Sequence, residues 1–285
     1  MTLAAKWKYV HASVIGTAHA RTGVPCQDVT ACEILTDVSG KETLIAAVSD
    51  GAGSACRAEI GAALACQLFI SEMQAFFESD HTAADITRDF AQRWITSFQG
   101  DILLRSDAEG LKPRDFACTF IAAVISDDTA AFLQVGDGAI VVRSHDEPGD
   151  DSYDWVFWAD EGEYANQTTF LTEEAVLEKL NFQIVNHRID EVALFTDGLQ
   201  RLALHFQSRT AHAPFFQSMF APLHAISIDG CATDLSAYLT AFLNSPSVNE
   251  RTDDDKSLVL ATRRGCAESS TDESHLNAGN DEAGL

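Results

Sequence analysis

Two apolar runs in this chain stop in the same way. "LIAAVSDG" (residues 44–51) and "VALFTDGL" (residues 192–199) each climb through residues suited to a buried strand and end in Asp-Gly. A carboxylate at the end of a buried strand is costly unless something compensates it. One Asp-Gly alone reads as a turn, with the Asp side chain accepting backbone hydrogen bonds. Here the pattern recurs. Asp28 in "GVPCQDV" stands just before another predicted strand, Asp137 lies in "QVGDGAIVV", and Asp254 and Asp255 in "DDDKSLVLA" stand immediately before the last strand. Ends of neighbouring strands can converge, and carboxylates brought together repel unless a cation sits between them. Hard cations such as Mg²⁺ and Mn²⁺ prefer oxygen ligands, and the chain offers no credible His/Cys ligand set. A glycine beside each Asp lets the backbone approach closely, so that its carbonyl can face an ion and space is cleared around it.

The order of elements narrows the fold. Residues 7–19, "WKYVHASVIGTAH", read as an opening strand rich in β-branched and aromatic residues, followed by strands at "VTACEIL" and "TLIAAVSD" joined by a hairpin turn in "DVSGKET". From about Arg57 to Glu78 the period changes, with Ile60, Leu64, Leu68, Met73 and Phe76 recurring near helical spacing. A second helix is predicted over 84–104, broken by "SDAEGLKPRD". Strands resume at "ACTFIAAVIS", "AAFLQVGD" and "AIVVRS"; "EVALFTDGLQ" follows, then helices at "HAPFFQSMFAPLHAI" and "CATDLSAYLTAFLNS" and a final strand at "SLVLATRR". Strands come in runs rather than alternating one-for-one with helices. That pattern predicts an α+β fold with antiparallel sheets rather than a doubly wound one. Residues 145–163 are acidic and interrupted by Trp155, Phe157 and Trp158, which reads as a strand flanked by exposed loops.

The 285 residues suffice for one large core, and no linker divides them. Residues 1–264 are expected to form one domain and 265–285, polar and small, an acidic tail that does not fold. Nineteen basic against 43 acidic side chains give a net charge of −24, which repels phosphate backbones and anionic lipid. Neither nucleic acid nor membrane is expected as a partner. The seven cysteines are odd in number and lack C-x-x-C spacing, which argues for a reducing compartment; Cys56 reads as a packing residue. No signal peptide and no long uninterrupted apolar run is evident. The expectation is a cytoplasmic protein, and the oligomeric state is not legible.

The ordered set "QD", "VSDGAGS", "DFACTFIAAVI", "VGDGAIVV", "TDGL" and "DDKSLVLA" resembles the metal-dependent serine/threonine protein phosphatases of type 2C, above all their compact bacterial members. "GEYANQTTFLT", residues 162–172, has the look of the same subgroup. The resemblance runs from about Val14 to Ala261. Each motif is weak alone, and their shared order makes the set specific. The resemblance implies a four-layer α-β-β-α sandwich, two antiparallel sheets flanked by helix pairs. It implies Mn²⁺ or Mg²⁺, two ions per chain. Asp50 would bridge both ions, Asp197 and Asp254 would complete one, and Asp28 and the Gly51 carbonyl the other. Asp255 is the neighbour open to confusion with Asp254. Asp115, in "PRDFACT", falls where some members hold a weaker third ion. Asp137 belongs to a signature more structural than ligating in the family.

The implied reaction is hydrolysis of phosphoserine and phosphothreonine in protein substrates, with in-line attack by a water that two metal ions activate. Many members carry a His two residues after the first aspartate as a candidate proton donor; this chain has Ala52, so that role is unassigned. A phosphate-binding Arg often lies upstream of the first carboxylate, and here His19 and Arg21 are the candidates. The acidic stretch 146–163 lies where the family has a variable flap. It reads either as a solvated loop or as a selector of basic phosphopeptides. A catalytically silent phosphatase-like sensor is the alternative to an enzyme.

Overall fold

The apolar runs become strands buried on both faces. The structure, a computed structural model, describes residues 6–36, 40–144, 152–158 and 168–265. The chain opens with β1 (Lys8–Val14), α1 (Thr17–Thr22), β2 (Asp28–Thr36) and β3 (Glu42–Asp50), followed by the long helices α2 (Ala58–Glu78) and α3 (Arg88–Glu109). Next come β4 (Phe120–Ile125), β5 (Ala130–Val135), β6 (Ala139–Ser144), β7 (Asp154–Trp155), α4 (Val176–Lys179), β8 (Asn181–Val185) and β9 (Ile189–Phe195). The remainder holds α5 (Gln200–Ala203), β10 (Leu204–His205), β11 (Thr210–Ala211), α6 (Ala213–Ala225), β12 (Gly230–Cys231), α7 (Thr233–Leu243), α8 (Pro246–Asn249) and β13 (Lys256–Thr262).

One sheet has the order β2-β3-β4-β5-β8 and the other β12-β1-β13-β9-β6-β7, while β10 and β11 pair separately. The pairing is antiparallel except at one edge, where Lys8 and Tyr9 of β1 run parallel to β12. Strand periodicity sorts the side chains. Leu44, Ala46 and Val48 of β3 face Leu194 of β9 and Val259 of β13 across the space between the sheets. Ile45 and Ala47 point the other way and pack against Phe69, Met73, Trp94 and Phe98 of α2 and α3. On the far side, Ala193, Phe195, Leu258 and Leu260 meet Phe216, Phe220, Leu239 and Leu243 of α6 and α7. The result is the expected helix-sheet-sheet-helix sandwich. Because both faces of each sheet are covered, the central strands carry continuous apolar runs instead of simple alternation. Each such buried Leu, Ile or Phe side chain stabilises the fold by about 1.5–3 kcal/mol.

The structure corrects several readings. The opening strand ends at Val14, and residues 17–22 are helical. A Cβ on Gly16 would lie 2.3 Å from the backbone carbon of Asp254, so the chain turns where it meets the loop before β13. The second long helix starts and ends later than predicted. Thr87 caps it by accepting from Phe90 N at 3.2 Å, and it runs through Glu109 until Gly110, at φ 67°, supplies the left-handed residue. Ser106 is buried within that helix and bonds to Leu103 O, so "SDAE" does not break it. β8, which pairs with β5, has no counterpart in the sequence reading. α2 is long and apolar enough to cross a membrane by length and composition, yet its Ala62, Cys66, Phe69 and Met73 face is buried against the sheet. Cys56 is exposed rather than packed. Within the acidic stretch, residues 145–151 and 159–167 lie outside the described residues, as does the tail 266–285.

Candidate metal centre

Antiparallel pairing gathers the aspartates. β2 begins where β3 ends, so Asp28 and Asp50 are direct cross-strand partners. In the other sheet β9 lies between β13 and β6, and its C-terminal end at Phe195 is paired with Ala139 and Leu258. Asp197 therefore emerges beside Asp137 at the start of β6 and beside Asp254 and Asp255 at the start of β13. The two sheets are stacked, so both sets of strand ends meet at one end of the sandwich. Like charges directly opposite each other destabilise a sheet. The position of Asp28 against Asp50 is thus unfavourable for the empty protein.

The electrostatics express that cost. Carboxylate oxygens of Asp50, Asp137 and Asp197 all lie within 4.8 Å of one another. Asp50 stands opposite Asp28 in the strand pair and shares the three-carboxylate group with Asp197, a gathering of like charges that protonation or a cation relieves. Burial, then the charges of Asp28 and Asp197, pushes the Asp50 carboxyl up to about 11. Burial raises Asp28 to about 8 against the opposing hydrogen bond from Thr196, and Asp255 adds to the rise. Asp197 rises to about 6, chiefly through burial and then the charges of Asp137 and Asp254. Asp28 Oδ1 and Asp197 Oδ1 are buried with no hydrogen-bond donor. Buried carboxylate oxygens rarely go unpaired. Oxygen-only donors, unpaired and mutually repelling, fit a hard divalent cation.

The structure separates Asp254 from Asp255. Asp255 is buried and its oxygens are committed: Oδ1 accepts from Gly16 N at 2.6 Å, and Oδ2 accepts from Gln27 N at 2.6 Å and contacts His19 Nδ1 at 3.0 Å. Asp254 is exposed; its Oδ1 accepts from Asp255 N at 2.9 Å, and its charge acts on Asp50 and Asp197. Asp254 is thus the freer carboxylate on the cluster side. Asp115 caps its own 3₁₀ turn, its Oδ2 accepting from Lys112 N at 2.9 Å, and stands outside the three-carboxylate group among the described residues. His19 leans on Asp255 with its side chain 20% exposed, whereas Arg21 is 71% exposed and paired with Asp253 at 3.6 Å.

Three features of the site differ from the sequence reading or go beyond it. Asp137, which the resemblance sets aside as more structural than ligating, joins the carboxylate cluster; Thr168 Oγ1 donates to its Oδ2 at 2.7 Å, and Gln200 donates to its carbonyl. Thr196 donates to Asp28 Oδ2 at 2.7 Å, a cross-sheet contact that no local pattern announces. The glycines, too, serve differently from the expectation. A Cβ on Gly51 would lie 2.7 Å from Ala58 Cβ, and one on Gly198 would lie 2.1 Å from the Asp255 carbonyl oxygen. The space they leave is taken by the protein's own chain, so these glycines let the elements close on the cluster rather than clear room for an ion.

Comparison with known proteins agrees with this geometry. A family model described as protein phosphatase 2C matches residues 15–244. Serine/threonine-protein phosphatase 3 of Escherichia coli (strain K12) is 35% identical over 258 residues, covering 90% of this chain and 98% of that protein. The serine/threonine phosphatase of S. agalactiae superposes with a TM-score of 0.59 at 15% identity, over 90% of this chain and 99% of that one. The catalytic domain of the serine threonine protein phosphatase PstP, in complex with two manganese ions, superposes with a TM-score of 0.54 at 15% identity, over 90% and 98% of the two chains. The match over most of the chain, on a fold that brings its strand-end aspartates together, places this chain in the protein phosphatase 2C family of metal-dependent serine/threonine protein phosphatases.

Proposed function

We propose that the carboxylates at the end of the sandwich hold two divalent cations, Mn²⁺ or Mg²⁺, for hydrolysis of phosphoserine and phosphothreonine in protein substrates. Asp50 bridges the two sites, Asp197 and Asp254 complete one, and Asp28 with the Gly51 carbonyl completes the other. The carrying observation is that Asp50 is the cross-strand partner of Asp28 and lies within the same 4.8 Å carboxylate group as Asp197, while Asp28 and Asp197 each keep a buried oxygen without a donor. Bound there, two divalent cations supply an acidified water and charge to offset the phosphoryl oxygens. The chain contributes the placement. β3 holds Asp50 at a fixed depth, because Asp50 O accepts from Thr119 N at 2.7 Å and Asp50 N donates to Thr119 Oγ1 at 3.0 Å. Gly51 N donates to Gln27 O at 3.1 Å, which ties the second site to the residue preceding Asp28. His19 is better placed than Arg21 to meet a phosphoryl group. Its Nδ1 is anchored on buried Asp255, whereas Arg21 is spent on a surface pair with Asp253.

Hydrolysis of p-nitrophenyl phosphate and of a phosphothreonine peptide, with and without chelator, tests this reading. Asp50→Asn and Asp197→Asn are expected to abolish turnover in saturating Mn²⁺, while the chelated proteins melt no lower than the parent because each change removes an acid that the crowded, buried cluster penalises on ionisation. Full turnover by the chelated parent, or by both variants, would refute the metal-centre assignment.

A further inference from the structure

We propose that Thr196 is a positioning residue whose hydroxyl aims Asp28 at the cation site and thereby sets the protein's divalent-cation affinity. Thr196 is 2% exposed and directly follows the last residue of β9 in the six-stranded sheet. Its Oγ1 accepts from Ser257 N at 3.0 Å, at the start of β13. An N–H cannot accept, so the oxygen's lone pair serves Ser257 and the single hydroxyl proton is free for one acceptor. That acceptor is Oδ2 of Asp28, at 2.7 Å, on β2 of the opposite sheet. The bond is charge-assisted when Asp28 is ionised, and so is among the stronger kinds.

The geometry gives this one hydroxyl a particular reach. Asp28 belongs to the five-stranded sheet, and Asp197 opens the 3₁₀ turn that follows β9 of the six-stranded sheet. Thr196 immediately precedes Asp197, and Thr196 N also donates to Ser257 O at 3.3 Å, so the threonine is pinned to β13 on both its backbone and its side chain. A β-branched residue held this way has little rotamer freedom. Asp28 is consequently fixed through Oδ2, and its Oδ1, which no donor satisfies, is left for a cation. The spacing between the carboxylates of the two sheets is set through this contact. Ser257 Oγ in turn donates to Ser13 Oγ at 2.6 Å, so the latch is braced by β1 as well. Hydrogen-bond partners of metal ligands commonly govern affinity in this way, and their loss weakens binding by about 10–100-fold.

The inference rests on the reading of Asp28 as a cation ligand, and the experiment keeps the two apart. Mn²⁺ binding is measured by calorimetry on the whole chain after chelation, for the parent and for Thr196→Val, Thr196→Ser, Thr196→Ala and Asp28→Asn, with thermal melts of each in chelator and in Mn²⁺. Thr196→Val keeps the volume and removes the hydroxyl; it is expected to weaken Mn²⁺ binding by about 10–100-fold. Thr196→Ser, which keeps the hydroxyl, is expected to bind near the parent's affinity. Parent-like binding by Thr196→Val overturns the proposal, and so does equal weakening by the serine variant. If neither the valine nor the alanine variant folds in Mn²⁺, the hydroxyl serves the fold and the proposal is also overturned. A parent that binds no Mn²⁺, or an Asp28→Asn variant that binds as the parent does, refutes the reading of Asp28 instead.

Discussion

Exchanging Asp255 for asparagine, beside the same change at Asp254, separates structural support from cation binding at adjacent positions. Asp255 accepts from Gly16 N and Gln27 N, each at 2.6 Å, and holds His19 Nδ1 at 3.0 Å, all from a site 2% exposed. Asparagine has one accepting oxygen and one NH₂. Whichever way the amide turns, its NH₂ faces a donor that Asp255 now satisfies. Hydrogen bonds to a charged group contribute about 1.5–3 kcal/mol each, and an orphaned buried N–H costs about 1–3 kcal/mol. With partial relaxation, Asp255→Asn should destabilise the fold by about 2–5 kcal/mol. At about 2–4 °C per kcal/mol for a large domain, the chelated protein should melt some 4–20 °C lower. Asp254 is exposed, and asparagine can still accept from Asp255 N, so Asp254→Asn should stay within about 0.5 kcal/mol of the parent in chelator. Its deficit should appear on adding Mn²⁺, as a smaller rise in Tm and a lost turnover. Differential scanning calorimetry in chelator and in Mn²⁺ reads both quantities. An Asp255→Asn variant with parental Tm in chelator, or an Asp254→Asn variant with a parental Mn²⁺ response, would refute the reasoning.

Chelation should destabilise the protein more as pH rises. Asp28, Asp50 and Asp197 have folded-state pKa values raised to about 8, 11 and 6, so the empty fold holds protons that the unfolded chain has released above about pH 4. Stability of the chelated protein then falls with rising pH, and the Mn²⁺-induced gain in Tm should be larger near pH 8 than near pH 5.5, roughly chosen to span the Asp197 and Asp28 titrations; equal gains would count against the buried cluster. Gly198→Ala would push a Cβ to 2.1 Å from the Asp255 carbonyl, so it should cost about 1–3 kcal/mol or more and also blunt the Mn²⁺ response, as melts in both buffers would reveal. Glu191 is fully buried beneath α6, where it bonds to His224 and to Tyr153 Oη at 2.7 Å. Burial pushes its carboxyl up, but the His224 and Tyr153 hydrogen bonds pull harder, and the net is below the ordinary value. Its contribution is present above that value and fades as pH falls. Glu191→Gln should therefore lose about 1.5–3 kcal/mol at neutral pH, with the difference narrowing toward pH 4 in urea titrations.

Much of the architecture was readable because its signals are local. Ile60, Leu64, Leu68, Met73 and Phe76 announce α2, since helical period and side-chain polarity are both written along the chain. β3, β9 and β13 are legible as unbroken apolar runs for the same reason. Their boundaries were less so. α1 lies where β-branched residues suggest strand, because contact of Gly16 with the loop before β13 overrides local propensity. β8 was not foreseen, since "NFQIV" owes its strand state to pairing with β5. Asp28, Asp50, Asp137 and Asp197 stood out as strand-end carboxylates, but the family pattern set Asp137 apart as structural, and only the structure placed it within reach of Asp50 and Asp197.

By itself, the order of residues determined that this chain has strands ending in aspartate, covered by long amphipathic helices, with an excess of acidic charge. Those properties depend on side-chain chemistry and on period, and both act within a few residues. Only the tertiary structure decided which aspartates meet, which of Asp254 and Asp255 is committed to backbone N–H groups, and which hydroxyl reaches Asp28. Each of these depends on strand register and on how two sheets stack. A carboxylate's role follows from the donors and charges around it, and here those come from segments more than a hundred residues apart, as with Thr196 and Asp28 at a separation of 168.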